Sequence, residues 1–186
     1  MPRPTRRTWT AKHIDDFQGM IRLRDFVEGD IDRLVALANN ENVSRYLIYT
    51  FPYPYTKRDA ESWIHTESRA NRSVTKVIEY QGDFVGIVGI TPQTGWKDHS
   101  AEIGYWVGEE YWGKGIATEA LRMMSERAFT VLKYKKLFAP VLGPNKASMR
   151  VLEKCGYGLE GVLKDEVYKG GQYFDGYHYA KFYTFP

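Results

Sequence analysis

Residues Ala101 to Leu121 read AEIGYWVGEEYWGKGIATEAL. The run from Ala101 to Val107 predicts a strand. Glycines at 108, 113 and 115 then turn the chain, and Ala117, Leu121, Met124 and Ala128 recur at helical spacing. The first N–H groups of such a helix have no partner inside it, so together with the helix dipole they make an anion site. Glycine suits the turn because a Cβ would keep a phosphate away from the backbone. A phosphate-bearing ligand is therefore expected at this turn.

Three readings of the turn compete. Gly108 to Lys114 fits the GxxxxGK of a P-loop, but Gly115 stands where a magnesium-binding hydroxyl belongs, and the preceding run looks antiparallel. A dinucleotide fingerprint would require glycine at 118, where the chain has Thr118. On the pattern alone, a glycine turn without a ligand also stands.

Downstream, Leu137 to Leu142 predicts a short strand, and Gly143-Pro144 leads into a helix from Asn145 to Cys155. Two last strands, about 157–168 and 173–184, meet at Gly170-Gly171. Upstream, Val74 to Tyr80 and Phe84 to Ile90 flank the turn Gln81-Gly82-Asp83 and form an antiparallel meander with the run from Ala101. Further upstream, Ile31, Leu34, Val35 and Ala38 mark a helix with Asp30 near its start, and Ile21 to Phe26 alternates as a strand. Thr56 with Asp59 is a capping signal for a helix carrying Trp63 and Ile64. This order predicts an α/β (α+β) domain, a mixed sheet flanked by helices, over residues 19–186, behind an N-terminal arm of residues 1–18.

The 186 residues are 43% hydrophobic and 26% charged, as in one globular domain. A net charge of +3 is too small for a nucleic-acid binder, and no run of 18 apolar residues spans a membrane. The basic start MPRPTRRTWTAKH precedes no apolar stretch, so no secretory signal is expected. The single cysteine, Cys155, excludes an internal disulfide and a thiolate zinc cage, and a cytoplasmic location is expected. His13, His65, His99 and His178 show no ligand spacing, so no metal is expected. Arg3, Arg6 and Arg7 are read as part of a disordered arm.

The Ala101–Leu121 stretch resembles the GNAT acetyltransferases, and more closely the branch that acetylates ribosomal-protein N-termini. The resemblance extends to NKASMRVLEKCGYGLEGVLKD, from Asn145 to Asp165, and to the earlier RYLIYTFPYPYTKRDAESWI. It implies a mostly antiparallel sheet of six or seven strands, splayed at the coenzyme site, and acetyl-CoA as co-substrate without a metal. It places Trp112, Gly113, Lys114, Gly115, Ile116, Ala117 and Thr118 around the pyrophosphate, with Trp112 where the general pattern has Arg or Gln. Tyr105, Trp106 and Val107 would pair through their backbone with the pantetheine arm, and Asn145 would lie near it, as a helix cap or a ligand contact.

Attack on a thioester needs a neutral amine, a stabilised oxyanion and a protonated leaving thiolate. The resemblance implies a backbone N–H near Val107 for the oxyanion. Many members carry an acidic Tyr where this chain has Leu152; the ribosomal branch offers a Ser, here Ser148, which shares an inward helix face with Val151, Leu152 and Cys155. Some ribosomal-branch enzymes carry a Glu where this chain has Val167. Glu166 is expected on the opposite sheet face, so Glu102 is the better candidate base. Cys155 reads as a small buried residue rather than an acetyl relay. Tyr46, Tyr49, Phe51, Tyr53 and Tyr55 are expected to wall the acceptor groove, some of them as core.

An α-amino group with pKa near ~8 is about one-tenth neutral at pH 7, whereas a lysine amine is neutral only to about a few parts in ten thousand. Without a well-placed carboxylate the site suits an α-amine, and a peptide or ribosomal-protein N-terminus is the leading acceptor. A polyamine or aminoglycoside, favoured by Glu102, Glu160, Asp165 and Glu166, is the first alternative. A non-catalytic acyl-CoA-binding module is the second. No membrane or nucleic-acid partner is expected, and the chain would act as monomer or homodimer.

Overall fold

The computed structural model describes residues 20–47 and 51–183. Among the described residues strand β1 (Ile21–Arg24) comes first, followed by helix α1 (Ile31–Ala38), a single helical turn α2 (Glu41–Ser44) and helix α3 (Lys57–His65). A meander comes next: β2 (Val74–Tyr80), β3 (Asp83–Pro92) and β4 (Ser100–Val107). Helix α4 (Ile116–Thr130) leads to β5 (Lys136–Leu142), helix α5 (Lys146–Lys154) follows, and β6 (Gly158–Lys169) and β7 (Gln172–Phe182) are the last described elements.

The seven strands of the described residues form one sheet in the order β1-β2-β3-β4-β5-β7-β6. All neighbours are antiparallel except β4 and β5. That exception follows from α4, which carries the chain back to the end where β4 began, so β5 must run the same way. The parallel pairing covers only Ser100–Glu102 against Lys136–Phe138. Beyond Glu102 the two strands separate, so the sheet is split down its middle, and the expected splay lies at this point.

Each face of the sheet has its own core. On one, α4 and α5 bury Ile116, Leu121, Met124, Met149 and Leu152 against Ala101, Ile103, Val107, Leu137 and Tyr179. On the other, Ile31, Leu34 and Leu37 of α1 and Ala60 and Ile64 of α3 cover Val77, Phe84 and Ile87. Burial of the Val, Leu, Ile, Met and Phe side chains among them contributes roughly 1.5–3 kcal/mol each. The entry to α3 is the expected capping box: Thr56 Oγ1 accepts from Asp59 N at 3.3 Å while Asp59 Oδ2 accepts from Thr56 N at 2.7 Å.

The periodicity missed α2, whose four residues are too few to show a period. Its signal is the cap: Asn40 Oδ1 accepts from Asn42 N at 2.8 Å and from Val43 N at 3.3 Å. β1 stops at Arg24 instead of Phe26, and Arg24 is held there by both carboxylate oxygens of Asp30 at 2.8 Å and by Glu79 at 2.6 Å. The arm, with Arg3, Arg6 and Arg7, and Tyr49 of the aromatic segment lie outside the described residues.

Candidate active site

The gap between β4 and β5 opens into a cleft of about 360 Å³. Main-chain alternation explains its polarity. Gly108 N donates to Val85 O at 2.9 Å, so even-numbered residues of β4 turn their backbone groups to β3 and odd-numbered ones turn theirs to the gap. Tyr105 and Val107 therefore face the gap with their backbone, whereas Trp106 bonds across to β3. The ring of Trp106 lies on the α1 side, edge-on to Phe51 at 6.2 Å.

At the end of β4, the indole N–H of Trp112 donates to Val107 O at 2.7 Å. That bond occupies the last carbonyl of the strand and leaves the Val107 N–H facing the gap. Trp112, which stands where the general pattern has Arg or Gln, thus pins the turn to the strand with its side chain. Glu109 anchors the same turn from outside, accepting from Asn40 Nδ2 at 2.8 Å and Asn42 Nδ2 at 2.9 Å. These bonds hold the Glu109 carboxyl below the usual carboxylate range and tie α2 to the cleft.

Gly113 and Gly115 have φ of 74° and 79°, in the left-handed region, and a Cβ at Gly113 would meet nothing within 4 Å. The open backbone and the free first N–H groups of α4 make the expected anion cradle. Gly115, Ile116, Ala117 and Thr118 line it, joined from α5 by Asn145 and Ser148. Lys114 does not line the cleft. Left-handed residues on both sides turn it outward, and its ammonium sits 5.1 Å over the Tyr111 ring. Two cationic lining residues escaped the sequence reading: Arg150 and Lys154 on α5. Their spacing of four on a helix beside the glycine turn was the available signal.

On α5, Asn145 Oδ1 caps the helix by accepting from Ser148 N at 3.1 Å, which leaves its amide NH2 for a ligand. Ser148 Oγ lies 3.0 Å from the Tyr105 hydroxyl, and that hydroxyl donates to Ser148 O at 3.2 Å. Tyr105 thus bridges from β4 to α5 beneath the cleft, a side-chain link that the backbone reading of this residue had not supplied. Burial drives the Tyr105 phenol well above its ordinary value, with the bond from Ser148 opposing. Leu152, where many family members have Tyr, is fully buried. Cys155 is also buried; its thiol donates to Thr118 O at 3.3 Å and is pushed up to about 11 by burial. A thiol held so far from its thiolate form does not serve as a nucleophile near neutral pH.

Glu102 lies outside the cleft lining. Its neighbours Ala101 and Ile103 point to the α4 side, so Glu102 points to the face that carries α1 and α3. Burial raises its carboxyl above the ordinary value, and His178 opposes that shift. A raised carboxyl keeps its proton longer in the folded chain than in the unfolded one. Its contribution to stability is thus present below the ordinary value of 4.5 and is lost as pH rises through the raised value. Glu102→Gln is expected to raise Tm at pH 7, by about 2–4 °C for each kcal/mol relieved, and to leave Tm nearly unchanged well below the ordinary carboxylate value. Equal increments at both pH values would contradict the shift.

One expectation is corrected. Strand alternation places Glu166 on the opposite face from Val167, but residues 164–166 form a bulge: Leu163 pairs with Gly176 and Val167 already with Phe174. Asp165 at the bulge has φ 52°, which breaks the alternation. The Glu166 carboxylate consequently lies over Gly176 and meets His178 on the face that also carries Glu102. The aromatic segment divides as well. Phe51 stacks on Tyr55 at 5.0 Å and Tyr55 is core, Tyr53 is exposed, and Tyr46 lines the cleft. Among the described residues no His, Cys, Asp and Glu side chains cluster as a metal site, and no helix is long and apolar enough to cross a membrane.

Residues 20–158 match the family described as Acetyltransferase (GNAT) domain. The chain is 30% identical over 154 residues to a spermidine N(1)-acetyltransferase of Escherichia coli strain K12, covering 82% of this chain and 81% of that one. Among solved structures it superposes on RimJ of Mycobacterium smegmatis in complex with a coenzyme A disulfide, with TM-score 0.77 and 29% identity, covering 87% of this chain and 81% of that one. It shares the fold of RimL, a ribosomal L7/L12 alpha-N-protein acetyltransferase in complex with coenzyme A, with TM-score 0.77, 21% identity and coverage of 88% and 94%. The chain belongs to the GNAT acetyltransferase family. It is an N-acetyltransferase, and acetyl-CoA is its co-substrate.

Proposed function

We propose that the protein transfers acetyl directly, within a ternary complex, from acetyl-CoA to the α-amine of a peptide or protein N-terminus. The observation that carries this reading is the state of the carboxylates near the acceptor face. Of the four carboxylates that could favour a polycation, Glu160 is paired with Lys136 at 2.6 Å and Glu166 is engaged by His178 at 2.8 Å, which leaves Glu102 and Asp165 outside the ion pairs of the described residues. Two separate carboxylates attract an extended polycation less than an open row of four would. Glu102, half-buried, offers a single site of attraction for one ammonium group. An α-amine, already partly neutral near pH 7, suits such a site better than a lysine.

In this reading the N–H groups from Gly113 to Thr118 hold the pyrophosphate. Arg150 and Lys154 add positive charge at the rim, and the gap-facing backbone of Tyr105 and Val107 pairs with the pantetheine arm. The Val107 N–H is aimed where negative charge develops on the thioester oxygen. Ser148, oriented by Tyr105, donates to the departing sulfur. Asn145 places its amide NH2 beside the arm.

A polyamine acceptor is the second reading, favoured by the 30% identity to the spermidine N(1)-acetyltransferase. Thiol release from acetyl-CoA, measured with a free-α-amine peptide, an N-terminally blocked lysine peptide and spermidine, tests the assignment. The α-amine peptide is expected to have the highest kcat/KM. Preference for spermidine would move the protein to small-molecule modification, and preference for the blocked lysine peptide would remove the α-amine argument.

A further inference from the structure

On the acceptor face, His178 of β7 and Glu166 of β6 form a pair with no part in holding the coenzyme. His178 Nε2 lies 2.9 and 2.8 Å from the two oxygens of Glu166, and each side chain keeps 30% of its surface exposed. Separate features of the chain build this contact. The bulge at 164–166 swings Glu166 onto this face, and Asp175 holds the bulge by accepting from Asp165 N at 3.2 Å and from Lys164 Nζ at 2.7 Å. Position 176 is glycine, and a Cβ there would stand 1.6 Å from Glu166 Oε2. A side chain at 176 would therefore push the carboxylate off β7 and away from the imidazole.

The side of the sheet is settled by the neighbours of His178. Tyr179 is buried in the core under α4 and α5 and Tyr177 packs against it, so His178 between them points to the other face, as Glu102 does. β5 runs between β4 and β7 and turns Phe138 and Pro140 to this side, neither of which ionises. Glu102 and His178 thus stand on either side of the line along which the sheet splits, close enough for His178 to act on the Glu102 carboxyl.

We propose that His178 is the proton acceptor for the attacking amine and that Glu166 is its positioning residue. The inference rests on the amine-acetylation reading above. With Nε2–H donated to Glu166, the imidazole is fixed in the tautomer whose Nδ1 carries the lone pair. Among the described residues, Nδ1 has no hydrogen-bond partner. Glu102 draws the acceptor ammonium in, and Nδ1 takes its first proton. The nitrogen lone pair then forms the C–N bond to the thioester carbonyl carbon as the carbonyl π pair moves onto oxygen, and solvent takes the second proton from nitrogen. When the oxygen pair returns, the C–S bond breaks with its pair on sulfur, and Ser148 supplies the proton that makes the free thiol. Solvent then removes the imidazolium proton and restores that of Ser148. No group is oxidised or reduced.

The test compares wild type, His178→Gln and Glu166→Gln on two acceptors: a free-α-amine peptide and a small amine already neutral at the assay pH. Coenzyme affinity is measured alongside. His178→Gln is expected to lose on the order of 10²-fold in kcat/KM on the peptide and far less on the neutral amine, with coenzyme affinity unchanged. Glu166→Gln should show a smaller loss with the same selectivity, and it carries the test if the His178 variant does not fold. Equal losses on both acceptors, or no loss on the peptide, would overturn the assignment while leaving amine acetylation intact. A wild-type protein that binds coenzyme but acetylates neither amine would overturn the amine-acetylation reading, and this inference with it.

Discussion

Gly115→Glu is expected to abolish coenzyme binding. Gly115 sits at φ 79° as the residue that opens α4, and it lines the cleft. A glutamate there costs about 1–2 kcal/mol in backbone strain and places a carboxylate where the first N–H groups of α4 would receive phosphate. An unpaired charge forced into such a contact costs about 3 kcal/mol or more, which corresponds to a loss of affinity on the order of 10²-fold. Calorimetric titration with coenzyme A reads it. Gly115→Asn separates the two causes, because Asn tolerates the left-handed region and brings no charge; it should retain more affinity than the Glu variant. Tight binding by Gly115→Glu would show that the coenzyme does not use this turn.

Ser148→Ala is expected to lower kcat on the order of 10²-fold while coenzyme affinity stays within about twofold, since a methyl group in place of the hydroxyl leaves the cap from Asn145 intact. Tyr105→Phe should give a smaller loss in the same direction, because it removes the hydroxyl 3.0 Å from Ser148 Oγ and leaves Ser148 itself in place. Steady-state thiol release with saturating acetyl-CoA measures both. Unchanged turnover in Ser148→Ala would remove the serine from the leaving-group step. A loss of coenzyme affinity equal to the loss of turnover would make its role structural.

What was legible in the chain was local or periodic. The strand ending at Val107, the positive-φ glycines and the apolar spacing of α4 lie within about twenty residues of one another. The anion cradle could therefore be placed without knowing the rest of the fold. The capping box at Thr56 and the turn at Gly170-Gly171 were legible for the same reason. The remaining features depend on contacts between distant segments. Trp112 to Val107 O looks local, but it required knowing that the odd-numbered backbone of β4 faces an open gap, and this follows from the early end of the β4–β5 pairing. The Tyr105–Ser148 bond joins residues 43 apart in sequence. Glu166 was placed on the wrong face because alternation holds only in a regular strand, and Asp165 in the left-handed region breaks it. Asp165 itself carries no composition cue for a bulge beyond the tolerance of Asp for that conformation.

The central claim, acetyl transfer to an α-amine, is tested most directly by competition in one tube. A peptide with a free N-terminus and an internal lysine is mixed with equimolar spermidine, limiting acetyl-CoA and wild-type protein, and the acetylated positions are located by mass spectrometry. The expected result is one acetyl group on the first residue of the peptide, with lysine and spermidine nearly unmodified. Acetyl found mainly on spermidine or on the lysine side chain would contradict it.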